Sequence, residues 1–249
     1  MTRILLLGGT TEASALARQL AAKGMDAVFS YAGRTDNPVE QPLPMRIGGF
    51  GGSAGLTEYL CAEHITHLID ATHPFATGMS KNAIAASAAA GVQLCAFERA
   101  PWIASDADDW THVADFPGAV SALPEEPTRI FLAIGRQNLS AFAAKPWHQY
   151  LLRLVDPPAS PLPLPGAETI IARGPFSEAD DLRLLKSRRI NLIVAKNSGG
   201  SGARAKLDAA RALHLRVILI DRPPIPTRMV VHDVAAVMAW LGHSADLGV

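Results

Sequence analysis

The sequence predicts an α/β protein built from two parallel-sheet domains. Short apolar runs of strand length alternate with segments whose apolar residues recur at helical spacing. Most of the apolar runs end in a turn that carries glycine, hydroxyl or basic residues. The alternation stops near residues 124–127 and then restarts. We therefore predict domains at residues 1–127 and 128–249, with an active-site cleft between them, because α/β proteins bind ligands at the carboxyl ends of their strands.

The composition supports a folded protein rather than a disordered one, since 49% of the 249 residues are hydrophobic. No uncharged apolar window has membrane length and no signal-peptide pattern opens the chain, so we expect a cytoplasmic protein without a membrane partner. Cys61 and Cys95 have no second cysteine at metal or redox spacing, which favours two buried thiols. His64 and His67 are not spaced as zinc ligands, and we expect no metal site.

The zero net charge conceals an asymmetry between the predicted halves. Residues 1–127 carry 7 Lys and Arg against 14 Asp and Glu, whereas residues 128–249 carry 16 against 9. The second half, at +7, would attract a polyanion. Alternatively, the opposite charges help the halves to dock.

The first strand, predicted over residues 3–7, leads into the small and hydroxylated residues 8–12 and a helix over residues 13–23. Paired glycines let a ligand approach the backbone, and the threonine hydroxyls lie beside the unpaired N–H groups of a helix start. This stretch suits a phosphate or pyrophosphate, with a merely steric need for glycine as the alternative. The candidate contacts are Gly8, Gly9, Thr10, Thr11 and Glu12.

The second strand, predicted over residues 26–31, ends about where a dinucleotide fold meets the adenosine ribose. An acidic residue at this place selects NAD, whereas Ser30 occurs here with Gly33 and Arg34 close behind. We therefore predict NADP as the cofactor, with Arg34 near its 2′-phosphate. A solvated loop charge is the alternative for Arg34.

Residues 42–47 lead into a run of four glycines around Phe50, before a helix that Ser53 could cap. A backbone with so few side chains is either a flexible connection or a surface against which a nucleotide lies. The candidate cofactor contacts in this run are Gly48, Gly49, Phe50 and Gly51.

The third strand, predicted over residues 66–71, ends in Thr72, His73 and Pro74, and a helix over residues 81–90 closes at Gly91. Proline holds the residue before it extended, which places His73 at the carboxyl edge of the sheet. His73 is thus the candidate catalytic residue, against a purely structural role, and Thr72 and Pro74 are candidate cofactor contacts.

Residues 92–97 form a further predicted strand, and residues 99–128 form a transition with a helix near 116–123. The pattern then restarts with strands over 129–134, 148–155, 168–172, 191–195 and 216–220, and with helices over 178–188, 203–213 and 231–241. Basic residues follow several of these strands, and residues 198–202 form a second glycine-rich anion site before a helix. The candidate substrate contacts are Arg136, Lys196, Ser198, Gly199, Lys206 and Arg222.

Taken in order, these motifs resemble the precorrin-6A reductase family of cobalamin biosynthesis over nearly the whole chain. The motifs that carry the resemblance are residues 8–12, 72–76, 135–138, 196–199 with Lys206, and 221–223. The resemblance implies two Rossmann-like halves and an NADPH-dependent reduction of precorrin-6A to its dihydro product, precorrin-6B. It also implies hydride transfer to one ring carbon and protonation of its neighbour. His73 is the residue to test as proton donor, with solvent as the competitor.

The implied partners are an anionic tetrapyrrole substrate and, transiently, neighbouring pathway enzymes; no nucleic-acid partner is expected. A short-chain dehydrogenase or epimerase is disfavoured, because none of the three tyrosines has a lysine four residues on. A non-catalytic NADP sensor remains the alternative, although a sensor has no need of a polyanion site. The residues leave open whether the substrate carries cobalt.

Overall fold

The structure, a computed structural model, describes residues 2–33, 38–158, 160–164 and 166–246. It contains two compact units, one formed by Met1–Ala100 with Pro224–Val249 and the other by Pro101–Pro223. Each unit holds one parallel six-stranded sheet. The predicted class, two parallel-sheet α/β units, is confirmed.

The strands of the first unit are β1 (Arg3–Leu7), β2 (Asp26–Tyr31), β3 (Met45–Ile47), β4 (His67–Asp70), β5 (Gln93–Phe97) and β12 (Val230–Val231). Their order in the sheet is β12-β5-β4-β1-β2-β3. This is the doubly wound order, in which the chain reverses direction across the sheet between β1 and β4. The helices of this unit are α1 (Thr11–Ala22), α2 (Gly52–Ala62), α3 (Thr77–Ala90) and α7 (Val234–Asp246).

The two faces of this sheet are buried under different helices. One apolar core joins β1 and β2 to α1 and α7, with Leu16 and Val237 fully buried. The other core packs α2 and α3 against the opposite face, with Leu56 and Ala83 fully buried. Burial on both faces explains why β1 is an unbroken apolar run rather than an alternating one.

The strands of the second unit are β6 (Trp110–Val113), β7 (Arg129–Ala133), β8 (Gln149–Leu154), β9 (Glu168–Ile171), β10 (Leu192–Lys196) and β11 (Arg216–Ile220). Their order in the sheet is β6-β11-β10-β7-β8-β9, and the point of reversal lies between β7 and β10. The helices of this unit are α4 (Phe116–Ser121), α5 (Glu178–Ser187) and α6 (Ala205–Ala212), with a 3₁₀ helix at Leu139–Ala144. Fully buried residues such as Phe131, Ile193 and Leu207 form its core.

The unit boundaries differ from the predicted division after residue 127. The segment 110–113, which the prediction placed in the first half as part of the transition, forms β6 and pairs with β11 in the second sheet. Conversely, β12 pairs with β5 in the first sheet, and α7 covers the core of that unit. The cause is pairing between segments far apart in the chain, which local sequence patterns do not report.

This boundary removes most of the predicted charge asymmetry. With the observed division, the first unit carries 8 Lys and Arg against 10 Asp and Glu, and the second carries 15 against 13. The net charges are −2 and +2, because the acidic stretch around residues 106–126 belongs to the second unit. The second unit is therefore only weakly cationic as a whole, and anion binding would depend on individual side chains.

The two cysteines have different surroundings. Cys95 in β5 is fully buried, and burial raises the pKa of its thiol to about 11, as expected for a small apolar core residue. The prediction was wrong for Cys61, which is exposed near the end of α2. Among the described residues, no helix is both long and apolar enough to cross a membrane.

Candidate active site

The turn between β1 and α1 lies at the point of reversal of the first sheet. A Cβ atom on Gly8 would lie 2.0 Å from Cζ of the buried Phe29, so only glycine fits there. Gly9 has φ of 121°, and a Cβ at this position would meet no atom within 4 Å. The first glycine thus serves packing, whereas the second leaves an open approach to the backbone at the start of α1.

Thr10 holds this turn in place from two sides. Its side-chain oxygen accepts a hydrogen bond from the Ala13 N–H at 3.1 Å, which caps α1. Its hydroxyl donates to the Ala71 carbonyl at 3.0 Å, just beyond β4. Thr10 therefore connects the turns that follow the two central strands, and its direct role is structural.

Glu12 is a candidate cofactor contact whose carboxylate is already engaged. It lies in the first turn of α1, accepts a hydrogen bond from Thr11 and pairs with the Arg99 guanidinium at 3.1 Å. Both paired side chains are at most one-fifth exposed. The arginine offsets a negative charge that would otherwise repel a phosphate at this helix start.

The end of β2 brings together two residues that are distant in the sequence. Ser30 is buried, and its Oγ accepts a hydrogen bond from Nη1 of Arg46 at 3.0 Å. The predicted Arg34 lies outside the described residues. Gly33 approaches the next strand end, since a Cβ on it would lie 3.5 Å from Gly48 Cα.

The glycine run after β3 forms an open loop. Gly48, Gly51 and Gly52 have φ of 125°, 78° and 95°, which favours glycine at each position. Gly51, not Ser53, is the N-cap residue of α2, so the predicted serine cap was wrong. The Phe50 ring packs edge-on against Tyr59.

The turn after β4 is held by Asp70, a residue that the sequence reasoning did not select. Its Oδ1 accepts hydrogen bonds from the Thr72 hydroxyl at 2.7 Å and from the Thr72 N–H at 3.2 Å. Its Oδ2 is buried and has no hydrogen-bond partner among the described residues. The sequence does contain a signal for Asp70, because an acidic residue at the end of a buried strand, two residues before Thr72, is unusual for a purely apolar core.

His73 stands at the carboxyl edge of the first sheet, and Pro74 beside it is buried. Nδ1 of His73 accepts a hydrogen bond from the Phe75 N–H at 3.2 Å. An N–H donor at Nδ1 fixes the neutral tautomer that carries its proton on Nε2. In this tautomer the ring presents an N–H donor at Nε2.

In the second unit, the loops after β7 and β10 flank the point of reversal and carry most of the candidate substrate contacts. Arg136 is exposed, between Gly135 and Asn138, both of which have positive φ. Lys196 ends β10, with its Nζ 5.4 Å from the ring centroid of Phe116. This is the edge at which a doubly wound sheet binds its ligands.

Side chains from other parts of the second unit donate hydrogen bonds to the carbonyl groups of the glycine-rich loop after β10. Arg222 donates to the Asn197 carbonyl at 3.0 Å and to the Ser198 carbonyl at 3.2 Å. The Trp102 indole N–H donates to the Gly200 carbonyl at 2.7 Å. Gly199 and Gly200 have φ of 68° and 71°.

Lys206 is buried, whereas a side chain that binds substrate directly would be exposed at the site. It is 5% exposed, and its ammonium donates to the Ala203 carbonyl and lies 4.9 Å from the Trp102 ring centroid. Its contacts, like those of Arg222, support the loop. Asn197 and Trp102, which the sequence reasoning missed, complete this support.

Two shallow hollows of about 330 and 310 Å³ lie elsewhere, around the amino ends of β7 and β8. None of the candidate residues lines them. Because parallel sheets bind ligands at the carboxyl ends of their strands, the candidate site lies at the strand-end turns and not at these hollows. Within the described residues, no cluster of His, Cys, Asp or Glu could hold a metal ion.

The residues of the first unit fit a dinucleotide. The open Gly9 backbone and the start of α1 suit a pyrophosphate, and the end of β2 offers a hydroxyl and a guanidinium for a ribose or its phosphate. The turn at Thr72 and His73 lies on the other side of the point of reversal. These are the three places that a dinucleotide occupies on a doubly wound sheet.

Known proteins resemble this chain over nearly its whole length. A model of the family described as precorrin-6x reductase CbiJ/CobK matches residues 3–242. The precorrin-6A reductase of Rhodobacter capsulatus is 63% identical over 241 residues, which cover 97% of this chain and 96% of that protein. The cobalt-precorrin-6A reductase of Priestia megaterium is 32% identical over 236 residues, covering 89% and 91%. A solved structure of CobK precorrin-6A reductase has a TM-score of 0.95 and 62% identity, covering 98% and 97%.

Proposed function

Because the chain belongs to the precorrin-6x reductase family, we propose that it reduces precorrin-6A to precorrin-6B with NADPH as hydride donor. The single observation that carries the activity is the 63% identity to a precorrin-6A reductase across both units. The protein is accordingly an oxidoreductase of cobalamin biosynthesis. The preference for NADPH over NADH is a second, separate proposal.

The first unit would hold the cofactor at three strand ends. Gly9 and the N–H groups at the start of α1 would bind the pyrophosphate, the Ser30 region the adenosine ribose, and the Thr72 turn the nicotinamide side. When bound, the cofactor supplies a hydride from the nicotinamide ring. The protein's contribution is to orient the reacting rings and exclude water.

His73 would act at the reacting end of this site. In the tautomer that Phe75 favours, its Nε2–H is a hydrogen-bond donor. We propose that this N–H positions the substrate or a water molecule beside the ring carbon that takes up the proton. Direct proton delivery would require the imidazolium, and the bond from Phe75 would have to break first.

The second unit would bind the anionic edge of the macrocycle. Arg136 and Lys196 are the side chains that we propose as contacts to substrate carboxylates, with the backbone N–H of Gly199. The Ser198 N–H already donates to the Lys196 carbonyl at 2.7 Å. Arg222 and Lys206 would act indirectly, by holding the carbonyl groups of the glycine-rich loop away from an anion. This division revises an interpretation in which all four cations bind the substrate directly.

We further propose that the natural substrate is metal-free precorrin-6A. Identity is 63% to the Rhodobacter precorrin-6A reductase and 32% to the Priestia cobalt-precorrin-6A reductase. Parallel assays with metal-free and cobalt-containing substrate test this point. Faster turnover of the cobalt form would contradict it.

The experiment that tests the main proposal follows the visible spectrum of precorrin-6A with protein and NADPH. Reducing one double bond shortens the conjugation, so the absorption should shift as one NADPH is oxidised per macrocycle. NADH in place of NADPH is the control for cofactor choice. A protein that binds NADPH but leaves the macrocycle unchanged would support the sensor alternative and refute the reductase proposal.

A further inference from the structure

The carboxyl ends of β2 and β3 form a small cationic site around Arg46. The register pairs Ser30 with Arg46 on adjacent parallel strands. The Arg46 guanidinium lies 3.8 Å from the ring centroid of Phe50, which holds its plane. The arginine side chain is thus positioned at the strand end that meets the adenosine ribose in a doubly wound sheet.

The hydrogen bonds of Arg46 leave part of its donor capacity for a ligand. Nη1 donates to Ser30 Oγ and to the Gly48 carbonyl at 2.9 Å, and Nη2 donates to the Gly49 carbonyl at 3.2 Å. A guanidinium has five N–H donors. Within the described residues, the other two N–H groups of Arg46 make no hydrogen bond, and the side chain is half-buried rather than enclosed.

The surroundings favour an anion over a ribose hydroxyl. A carboxylate at this strand end would accept hydrogen bonds from ribose hydroxyls and repel a phosphate. The described residues 28–33 and 45–49 contain no carboxylate side chain. The strand ends instead offer one positive charge and one hydroxyl, Ser30 Oγ.

We infer that Arg46, together with Ser30, recognises the 2′-phosphate of NADPH and determines the preference for NADPH over NADH. This inference rests on the proposed function and identifies the specificity residue of its cofactor site. It also assigns the contact to β3, and not only to the predicted Arg34. A guanidinium fixed by an aromatic ring can make paired, charge-assisted hydrogen bonds to phosphate oxygens.

The test is a comparison of ligands that differ only in the 2′-phosphate. Calorimetry would measure NADPH against NADH, and adenosine 2′,5′-bisphosphate against 5′-AMP, on wild type, Arg46→Met, Arg46→Lys and Arg34→Ala. We expect Arg46→Met to weaken both 2′-phosphate ligands about tenfold to a hundredfold and to change the others less than about threefold. Arg46→Lys keeps the positive charge but not the paired N–H donors of the guanidinium. Its affinity for the 2′-phosphate ligands should lie between those of wild type and Arg46→Met. Arg18→Met, at an exposed position of α1, is the matched control.

Each other outcome overturns the inference in a recognisable way. Equal weakening of all four ligands by Arg46→Met would mean that Arg46 only holds the loop at Gly48 and Gly49. A preference for NADPH that survives Arg46→Met but is lost in Arg34→Ala would assign the 2′-phosphate to Arg34. Equal binding of NADPH and NADH by wild type would refute the proposed cofactor choice itself. Thermal unfolding of each variant shows whether the fold is retained.

Discussion

Asn197 and Trp102 exchange two hydrogen bonds. The Trp102 backbone N–H donates to Asn197 Oδ1 at 2.8 Å, and Asn197 Nδ2 donates to the Trp102 carbonyl at 3.1 Å. Both residues are 5% exposed. A single side chain therefore satisfies both backbone groups of a residue 95 positions away and anchors the start of the glycine-rich loop.

The first prediction concerns this pair. Asn197→Ala leaves one buried donor and one buried acceptor without partners, which should lower the free energy of unfolding by about 2–4 kcal/mol. Asn197→Asp keeps the acceptor but replaces the donor with a second oxygen, and should also destabilise. Urea unfolding followed by tryptophan fluorescence measures both. A loss below about 0.5 kcal/mol in Asn197→Ala would show that water replaces the two bonds.

The second prediction concerns the first glycine of the β1–α1 turn. In Gly8→Ala the new methyl group would overlap the ring of Phe29, which is fully buried and cannot move away freely. We expect a loss of about 1–3 kcal/mol in stability, from overpacking, and weaker NADPH binding. Gly78→Ala in α3 is the matched control: nothing lies within 4 Å of its Cβ, so it should be neutral or slightly stabilising. Equal unfolding midpoints for the two variants would contradict the steric argument.

The third prediction separates two roles for His73. If its Nε2–H positions the reacting groups, His73→Ala should lower turnover about 10²- to 10⁴-fold with little change in NADPH affinity. His73→Gln keeps a neutral N–H donor but cannot form an imidazolium. It should retain more turnover than His73→Ala if the N–H positions the reacting groups, and no more than His73→Ala if an imidazolium delivers the proton. Near-normal turnover in His73→Ala would leave only a structural role and make solvent the proton source.

The fourth prediction concerns stability at mildly acidic pH. Burial lowers the pKa of His67, and burial followed by the Lys145 ammonium lowers the pKa of His148. The unfolded chain therefore binds protons at these histidines at a pH where the folded protein does not. Their contribution to stability is present above the unfolded pKa of about 6.5 and is lost as pH falls below it.

The test is urea unfolding between pH 5 and pH 8, which brackets the unfolded histidine pKa of about 6.5. His67→Asn and His148→Asn keep a polar atom near the Nδ1 position but do not titrate, so each should flatten the loss of stability on acidification. His214→Asn, at an exposed position with φ of 52° that asparagine tolerates, is the control. Unchanged acid slopes in both core variants would contradict the prediction.

The fifth prediction separates direct from supporting cations in the second unit. Arg136→Ala should weaken tetrapyrrole binding by under about 1 kcal/mol, because this exposed contact is solvated, and added salt should mask the effect. Lys196→Ala, at a half-buried position, should cost more, about 2 kcal/mol. Lys206→Ala and Arg222→Ala should lower thermal stability as well as substrate affinity. Wild-type substrate binding in all four variants, with no salt dependence, would refute the substrate assignment.

Much of the fold was predictable because it depends on local patterns. The ranges of β2 and β11 were predicted to the residue, and the Gly91 cap of α3 was confirmed. Apolar runs buried on both faces, and glycines required by turns, are visible in the sequence itself. The succession of strands and helices in each unit follows from these signals.

The edge strands and the unit boundaries were not predictable in this way. The strands β6 and β12 have four and two residues, too few to show a period, and each pairs with a strand from a distant part of the chain. The pairing of β6 moves the acidic stretch into the second unit and removes most of the charge asymmetry. Short edge strands acquire their structure from their partners.

The candidate site divides along the same line. The sequence alone placed the candidate residues 8–12, 72–74 and 196–199 at strand ends, because each group closes or follows a buried apolar run. The contacts of the side chains at these ends depend on the packed fold: Arg46 reaches Ser30, Lys206 is buried against Trp102, and Asp70 holds the turn before His73. The physical reason is that a strand's end is set by its own residues, whereas the charge and hydrogen bonds around that end depend on neighbours brought together by sheet order and packing.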